Sequence, residues 1–295
     1  MSPVVRVGQR PLSARQVVTH YLGREVKAMK FHGRAAREDF DARSVHRLRV
    51  STRRLRSEIQ AMTGVLPKRP WRPLSGELKW MATSLGGLRD VDVLSELFGS
   101  RVVGEGELHE AIETRLARRR ATSRRAVSDL LDSPRYSRAV KSLDGLIDHP
   151  GLGATGRARA SDVFLPSLWS ASCAFFDSVA DPYERRSDGE MHRVRIAAKK
   201  CRYHFEVAEL FLGDPAQMVA EALEAIQEIL GRAHDRSVAV SFLDTLGLNS
   251  DIDVALRREL RAEIADLRPQ WAPHYEVARR AMIGIFDQRV TSAAS

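Results

Sequence analysis

Stretches suited to β-strands are scarce in these 295 residues, and so is cysteine, present only as Cys173 and Cys201. Two cysteines in apolar, helix-like contexts supply neither a disulfide framework nor zinc-site spacing. No apolar run approaches about 18 residues, which excludes a membrane-spanning helix. The opening MSPVVRVGQRPLSARQ lacks the apolar stretch of a signal peptide, and a soluble, cytoplasmic protein is expected. Lysine is sparse as well: the 47 basic residues comprise seven lysines and 40 arginines.

What is present is enough for a packed core and an excess of positive charge. Apolar residues make up 43%, the formal charge is +9 and the pI is near 10.0. That balance favours polyanions such as nucleic acid, anionic lipid or phosphate-rich ligands. Arginine's planar fork suits bidentate phosphate contact, although a GC-rich genome enriches arginine without any such role.

Helical periodicity runs almost throughout, interrupted by glycine- and proline-rich breaks. The long segments cover roughly 12–40, 44–63, 73–98, 106–132, 160–180, 189–212, 215–246 and 251–291, about eight helices with some of them open to a break. Breaks fall at Gly64 to Pro73, Gly99 to Gly106, Ser133-Pro134, Asp181 to Gly189, Gly213 to Pro215 and Gly247 to Ser250. HPGLGATG, residues 149–156, is the best internal linker.

Two matches on either side of that linker share nearly one offset. His46-Arg47-Leu48-Arg49-Val50 corresponds to His192-Arg193-Val194-Arg195-Ile196, and Arg53-Arg54-Leu55-Arg56 to Lys199-Lys200-Cys201-Arg202. Further on, LKWMATSLGGLRDVDV (78–93) corresponds to LEAIQEILGRAHDRSV (223–238), pairing Leu85-Gly86 with Leu230-Gly231 and Asp90 with Asp235. The pattern reads as a duplication, each half bearing a basic helix and then an "LG…D" helix.

At about 100° per residue, Leu48, Thr52, Leu55, Ile59 and Met62 share one stripe, and His46, Arg49, Arg53 and Arg56 lie on the opposite side, flanked by Arg47 and Arg54. The second copy repeats this with Val194, Ala198, Cys201 and Phe205 on the apolar stripe. His192, Arg195, Lys199 and Arg202 are on the polar one, flanked by Arg193 and Lys200. A solvated helix face normally mixes charge signs, because like charges on successive turns repel. No acid occurs between Ser44 and Ser57, and a repulsion repeated in both halves points to a bound anion. Ser44 is a plausible N-cap for the first basic helix, and Ser187 with Glu190 fits a capping box for the second. His46 and His192 thus sit near helix starts, where free N–H groups favour anions. Packing is the alternative role for both, and metal ligation lacks a paired histidine.

A third basic stretch, RLARRRATSRR at 115–125, offers Arg115, Arg118, Arg119 and Arg125, and Lys27, Lys30, Arg34 and Arg37 extend the set from the first helix. Gly86 and Gly231 are read as sites of close helix approach or a break. Asp90 and Asp235 are read as partners that hold neighbouring arginines.

VHRLRVSTRRLR and MHRVRIAAKKCRYHFE, each followed by an "LG…D" helix, resemble the two halves of the CHAD domain, the conserved histidine α-helical domain, over roughly residues 12–290. The resemblance implies an all-α fold of two pseudo-symmetric four-helix bundles, the first half about 12–148 and the second about 157–290, after a tail at 1–11. It also implies a basic groove between them that binds inorganic polyphosphate, with members found at polyphosphate granules. The carry-over falls on His46, Arg49, Arg53, Arg56, His192, Arg195, Lys199 and Arg202. One departure is His234 beside Asp235, where the family often has an amide or arginine. Many such domains follow a triphosphate tunnel domain marked by Glu-x-Glu-x-Lys. That pattern is lacking here, so a stand-alone CHAD protein is expected.

The expected function is therefore non-catalytic binding of polyphosphate or another phosphate-rich polyanion, with no cofactor, no metal and no membrane. Binding of nucleic acid is the alternative. Stacking on bases needs aromatics beside the cations, and Tyr203 alone is close to either stripe. Phosphate cleavage would need converging metal-holding carboxylates. Asp90, Asp92, Asp235 and Glu228 are not spaced as such a cluster.

Overall fold

Most helices start at a side-chain cap or a proline, as at Ser13, Asp41, Ser133, Ser187 and Ser250 and at Pro70 and Pro215. In the computed structural model, which describes residues 11–102, 106–179, 181–183, 187–248 and 250–293 (the backbone only beyond 287), the elements run α1 (Ala14–Glu38), α2 (Ala42–Ala61), α3 (Lys68–Ser84), α4 (Gly86–Gly99), α5 (Glu107–Asp132), α6 (Pro134–Asp148), α7 (Ala160–Asp177), α8 (Asp188–Leu212), α9 (Asp214–Asp244), α10 (Asp251–Leu267) and α11 (Ala272–Ala293). Short 3-10 turns lie at Thr155–Arg157 and Arg268–Trp271. Among the described residues there is no strand, only a single antiparallel bridge between Ser13 and Arg159. The fold is all-helical, as expected. The tail at 1–11 lies, apart from Pro11, outside the described residues, as do parts of the breaks at Gly99 to Gly106, Asp181 to Gly189 and Gly247 to Ser250.

Three expected boundaries are corrected. The segment at 73–98 is two helices, divided at the buried Leu85. Its first helix starts earlier, at Lys68, because Pro70 in the opening turn forfeits no intrahelical bond. The segment at 251–291 is also two, parted where Pro269 cannot donate. The cap of α2 is Asp41, whose carboxylate accepts the Ser44 backbone N–H at 2.9 Å, so Ser44 is inside the helix. The capping box of Ser187 and Glu190 on α8 is present as expected.

The register of the repeat carries through to the helices. α1, α2 and α3 start at residues 14, 42 and 68, and α7, α8 and α9 start at 160, 188 and 214, each 146 later. The bridge joining the two starts is reciprocal. The Ala14 N–H donates to the Ala158 carbonyl at 3.0 Å, and the Ala160 N–H donates to the Leu12 carbonyl at 2.8 Å.

The apolar stripes read from the sequence are buried without exception. They feed three cores. One gathers α1, α2, α3, α6 and the end of α5 around Leu22, Leu48, Leu55 and Leu78, and takes in Phe164 of α7 and Val207 of α8 from the other half. A second gathers α7, α8, α9 and α11 around Phe175, Phe205 and Trp271. The third is built from both halves, with Leu94, Phe98 and Ile112 from α4 and α5 against Phe242, Leu243 and Leu260 from α9 and α10. The rings of Phe98 and Phe242 lie 5.5 Å apart. Each fully buried aliphatic or aromatic side chain there contributes about 1.5–3 kcal/mol, so this third core ties the halves together.

Candidate functional site

Helices α2 and α8 carry the two repeated basic strings. Arg54 on α2 meets Glu206 on α8 at 3.3 Å. Further along α2, Gln60 to Gly64 lie beside His192 to His204 of α8. The helices therefore pass each other in opposite directions, each with its apolar stripe turned into its own core.

The crossing brings Arg49, Arg53 and Arg56 together with Arg195, Lys199 and Arg202. Burial, then the guanidinium groups of Arg53, Arg195, Arg56 and Arg202, push the Lys199 ammonium down to about 7. Burial and Arg53 also lower Arg49 and Arg195, against the opposing charge of Asp235 on both and of Asp90 on Arg49. Among the described residues Arg49, Arg53, Arg56, Arg195 and Lys199 form no ion pair, while Arg202 is held 3.4 Å from Glu206 and in contact with Glu224. The Nε of Arg195 is buried with no hydrogen-bond partner in the protein. Two partly buried arginines elsewhere are, by contrast, neutralised: Arg101 reaches Glu263 at 2.6 Å and Arg257 reaches Asp253 at 2.6 Å. A half-buried group of like charges left unpaired is a structure suited to an anion.

Asp90 and Asp235 do not pair with the arginines as expected. Among the described residues neither makes an ion pair, and their charges act on Arg49 and Arg195 through space. Burial raises the Asp235 carboxyl, against Arg89 and His234. Gly86 stands at the α3–α4 division, but Gly231 marks neither a break nor a close approach. The close approach falls one residue on, where a Cβ at Gly87 would lie 2.5 Å from the Ser123 hydroxyl.

His46 and His192 line two small equivalent hollows beside the cluster, of about 50 and 40 Å³. Val45, His46, Arg49, Leu85 and Arg89 in one are replaced in the other by Met191, His192, Arg195, Leu230 and His234. Burial, Arg49 and Arg89 lower the His46 imidazole, and the His192 and His234 rings stand 5.4 Å apart. The helix starts beside both histidines are already capped by Asp41 and by Ser187 with Glu190. The caps take the Ser44 N–H at one start and the Glu190 N–H at the other, and the remaining first-turn N–H groups keep the expected character. Arg89, Arg120 and Arg124 line the first hollow as well. Only the place of Arg89 beside the repeated aspartate could have signalled it.

The remaining expected residues are dispersed. Arg54 is tied to Glu206. Arg193 and Lys200 face a separate groove toward α7. Arg119 lies over the Phe242 ring at 4.8 Å, while Arg47, Arg115 and Arg118 are exposed. On α1, Lys30 pairs with Asp144 at 2.5 Å and Arg37 bonds the Leu131 carbonyl, so these two face α5 and α6. Tyr203 is buried, with the Arg202 guanidinium 5.2 Å from its ring centre. Burial pushes the Cys201 thiol up to about 12, far from a reactive thiolate. Among the described residues no three His, Cys, Asp or Glu side chains converge as metal ligands, and no helix is long and apolar enough to cross a membrane.

Comparison with known proteins agrees with this architecture. Two uncharacterized proteins of Mycobacterium tuberculosis, from strains CDC 1551 / Oshkosh and ATCC 25618 / H37Rv, are each 27% identical over 228 residues, covering 73% of this chain and 42% of theirs, so the chain spans less than half of their length. The crystal structure of the CHAD domain from the plant Ricinus communis superposes with a TM-score of 0.72 at 24% identity, covering 91% of this chain and 92% of that one. PptA from Streptomyces chartreusis superposes with a TM-score of 0.65 at 18% identity, covering 92% and 99%. The CHAD domain model matches residues 20–244, a span that holds both basic helices and both "LG…D" helices, and the chain belongs to the CHAD domain family.

Proposed function

We propose that this chain binds inorganic polyphosphate, without catalysis of its own, along the cationic cluster shared by α2 and α8. In this reading the two halves are pseudo-symmetric four-helix bundles that hold the cluster between them. The equal helix spacing, the reciprocal bridge at Ala14 and Ala160 and the two equivalent hollows support that view. The observation that carries the function is Lys199 ringed by Arg53, Arg56, Arg195 and Arg202. Such a ring is unfavourable empty, and a linear chain with about one charge per phosphate relieves it along its whole length. His46 and His192 stand at the two flanks, and Arg115 and Arg118 extend the path as exposed cations. Cytoplasmic polyphosphate granules are the proposed location.

The test is titration of the purified protein with long-chain polyphosphate, with heparin of matched charge, and with duplex DNA and RNA as competitors. Polyphosphate is expected to win at every salt concentration. Equal binding of heparin would sink the specificity, and displacement by RNA would make nucleic acid the ligand. Incubation with polyphosphate and magnesium is expected to release no phosphate.

A further inference from the structure

The duplication is not faithful everywhere, and its clearest lapse opens a cavity. In the first half, α1 and α2 meet the far end of α8 through a charged network. Arg24 reaches Glu25 at 3.0 Å and Glu58 at 3.4 Å, and Arg54 reaches Glu206 at 3.3 Å. The residues 146 positions later are Ser170 for Arg24, Ala171 for Glu25, Lys200 for Arg54 and His204 for Glu58, and Gln60 takes the place of Glu206. Three long ionisable side chains have thus become a serine, an alanine and an imidazole. What remains is a groove of about 600 Å³ between α7, α8 and the C-terminal end of α2.

We propose that this groove is a second binding site, separate from the central cluster, that takes a nucleoside di- or triphosphate. Lys200 and Arg193 supply the phosphate contacts. Lys200 makes no ion pair among the described residues, its former carboxylate partner being neutral Gln60. Arg193 lies 3.9 Å from Glu190 with most of its side chain in solvent. The His204 ring, its imidazole lowered by burial, bonds the Lys200 carbonyl at 2.9 Å and forms part of the wall. Ala171, Ala174 and Ile196 form an apolar floor for a planar base, and the Ser170 hydroxyl lies at its edge for a sugar, while the Ser167 hydroxyl donates to the Phe164 carbonyl at 2.8 Å. A mostly apolar cleft with a few polar anchors, in the range of about 300–1,000 Å³, is the usual form of a small-molecule site. The groove is walled by α7 and the outer side of α8 and touches the flank of the central cluster at His192, which lines both, but its cations Arg193 and Lys200 are not those of the cluster.

The test is isothermal titration with ADP and with ATP, beside a separate titration with long-chain polyphosphate. Wild type is expected to bind either nucleotide at one site. Lys200→Ala is expected to weaken that binding at least about tenfold. Ala174→Trp, at an exposed position, fills the groove and is expected to abolish nucleotide binding with polyphosphate affinity unchanged. The pair Ser170→Arg and Ala171→Glu, which writes the first half's residues into the second, is a further closing variant whose fold is checked by its melting transition. Absence of saturable nucleotide binding by wild type, or binding undiminished by both closing variants, overturns the proposal. So does nucleotide binding that Arg53→Ala removes, since it then belongs to the central cluster.

Discussion

Arg53 and Lys199 occupy the same place in the two halves, 146 residues apart, and face each other where α2 and α8 cross. After burial, the Arg53 guanidinium is the strongest influence that drives the Lys199 proton off. A duplicated basic helix set against its own copy doubles its charge at the crossing, and the lysine, the only cation there that can lose its proton near neutrality, yields.

That yields a pH signature for binding. A polyanion stabilises the ammonium form, so binding above about pH 7 takes up a proton. Affinity for polyphosphate is expected to fall as pH rises from about 6 to about 9, by at most about tenfold per unit. Burial and neighbouring arginines hold His46 and His234 below the ordinary histidine value. Lys199→Arg, charged throughout, is expected to flatten the profile, and a profile identical to wild type would refute the assignment.

The same lysine shapes stability. Its folded value near 7 lies below the ordinary 10.5, so between these limits the unfolded chain binds more protons. Stability is expected to rise with pH across that range. Melting temperatures of wild type and Lys199→Met compared from about pH 7 to 10 check the sign, the slope being smaller in the variant.

Glu58 acts in the opposite direction. Burial and Glu25 push its carboxyl from 4.5 up to about 8. The folded state therefore holds a proton that the unfolded chain releases. Its contribution is complete below about pH 4.5 and is lost as pH rises through about 8. Glu58→Gln is expected to remove this part of the slope in thermal melts between about pH 5 and 8.

Salt separates cluster cations from dispersed ones. Arg49→Ala and Arg195→Ala are each expected to lower polyphosphate affinity and to reduce the slope of log K against log salt by about one. Arg138→Ala, on the exposed outside of α6, is expected to change neither. Equal slopes for all three would place the ligand elsewhere.

The third core carries a stability prediction. Phe98→Ala removes one of the two rings that join α4 to α9 and is expected to cost about 3–5 kcal/mol. Urea unfolding followed by fluorescence and by circular dichroism reads the loss as a shifted midpoint. A loss under about 1 kcal/mol would mean that the halves are held together by other contacts.

The sequence by itself determined the helices, the repeat and the apolar stripes, because 3.6-residue periodicity, caps and offsets are local properties of a string. Leu48, Leu55, Val194 and Phe205 are buried where their spacing put them. It also marked Arg49, Arg53, Arg56, Arg195, Lys199 and Arg202 as the shared basic face. Only the tertiary structure decided that Arg54 would be absorbed by Glu206 while Lys200, its counterpart, would front an open groove. On each helix these two lie about 100° or more around from the clustered cations, and what they meet is set by residues of the opposite half, Glu206 for Arg54 and Gln60 beside Lys200. The third core was equally hidden, since pairing Phe98 with Phe242 is a contact across the repeat. Charge density can be read along a chain, but whether a charge is neutralised is settled by the neighbours that packing brings to it.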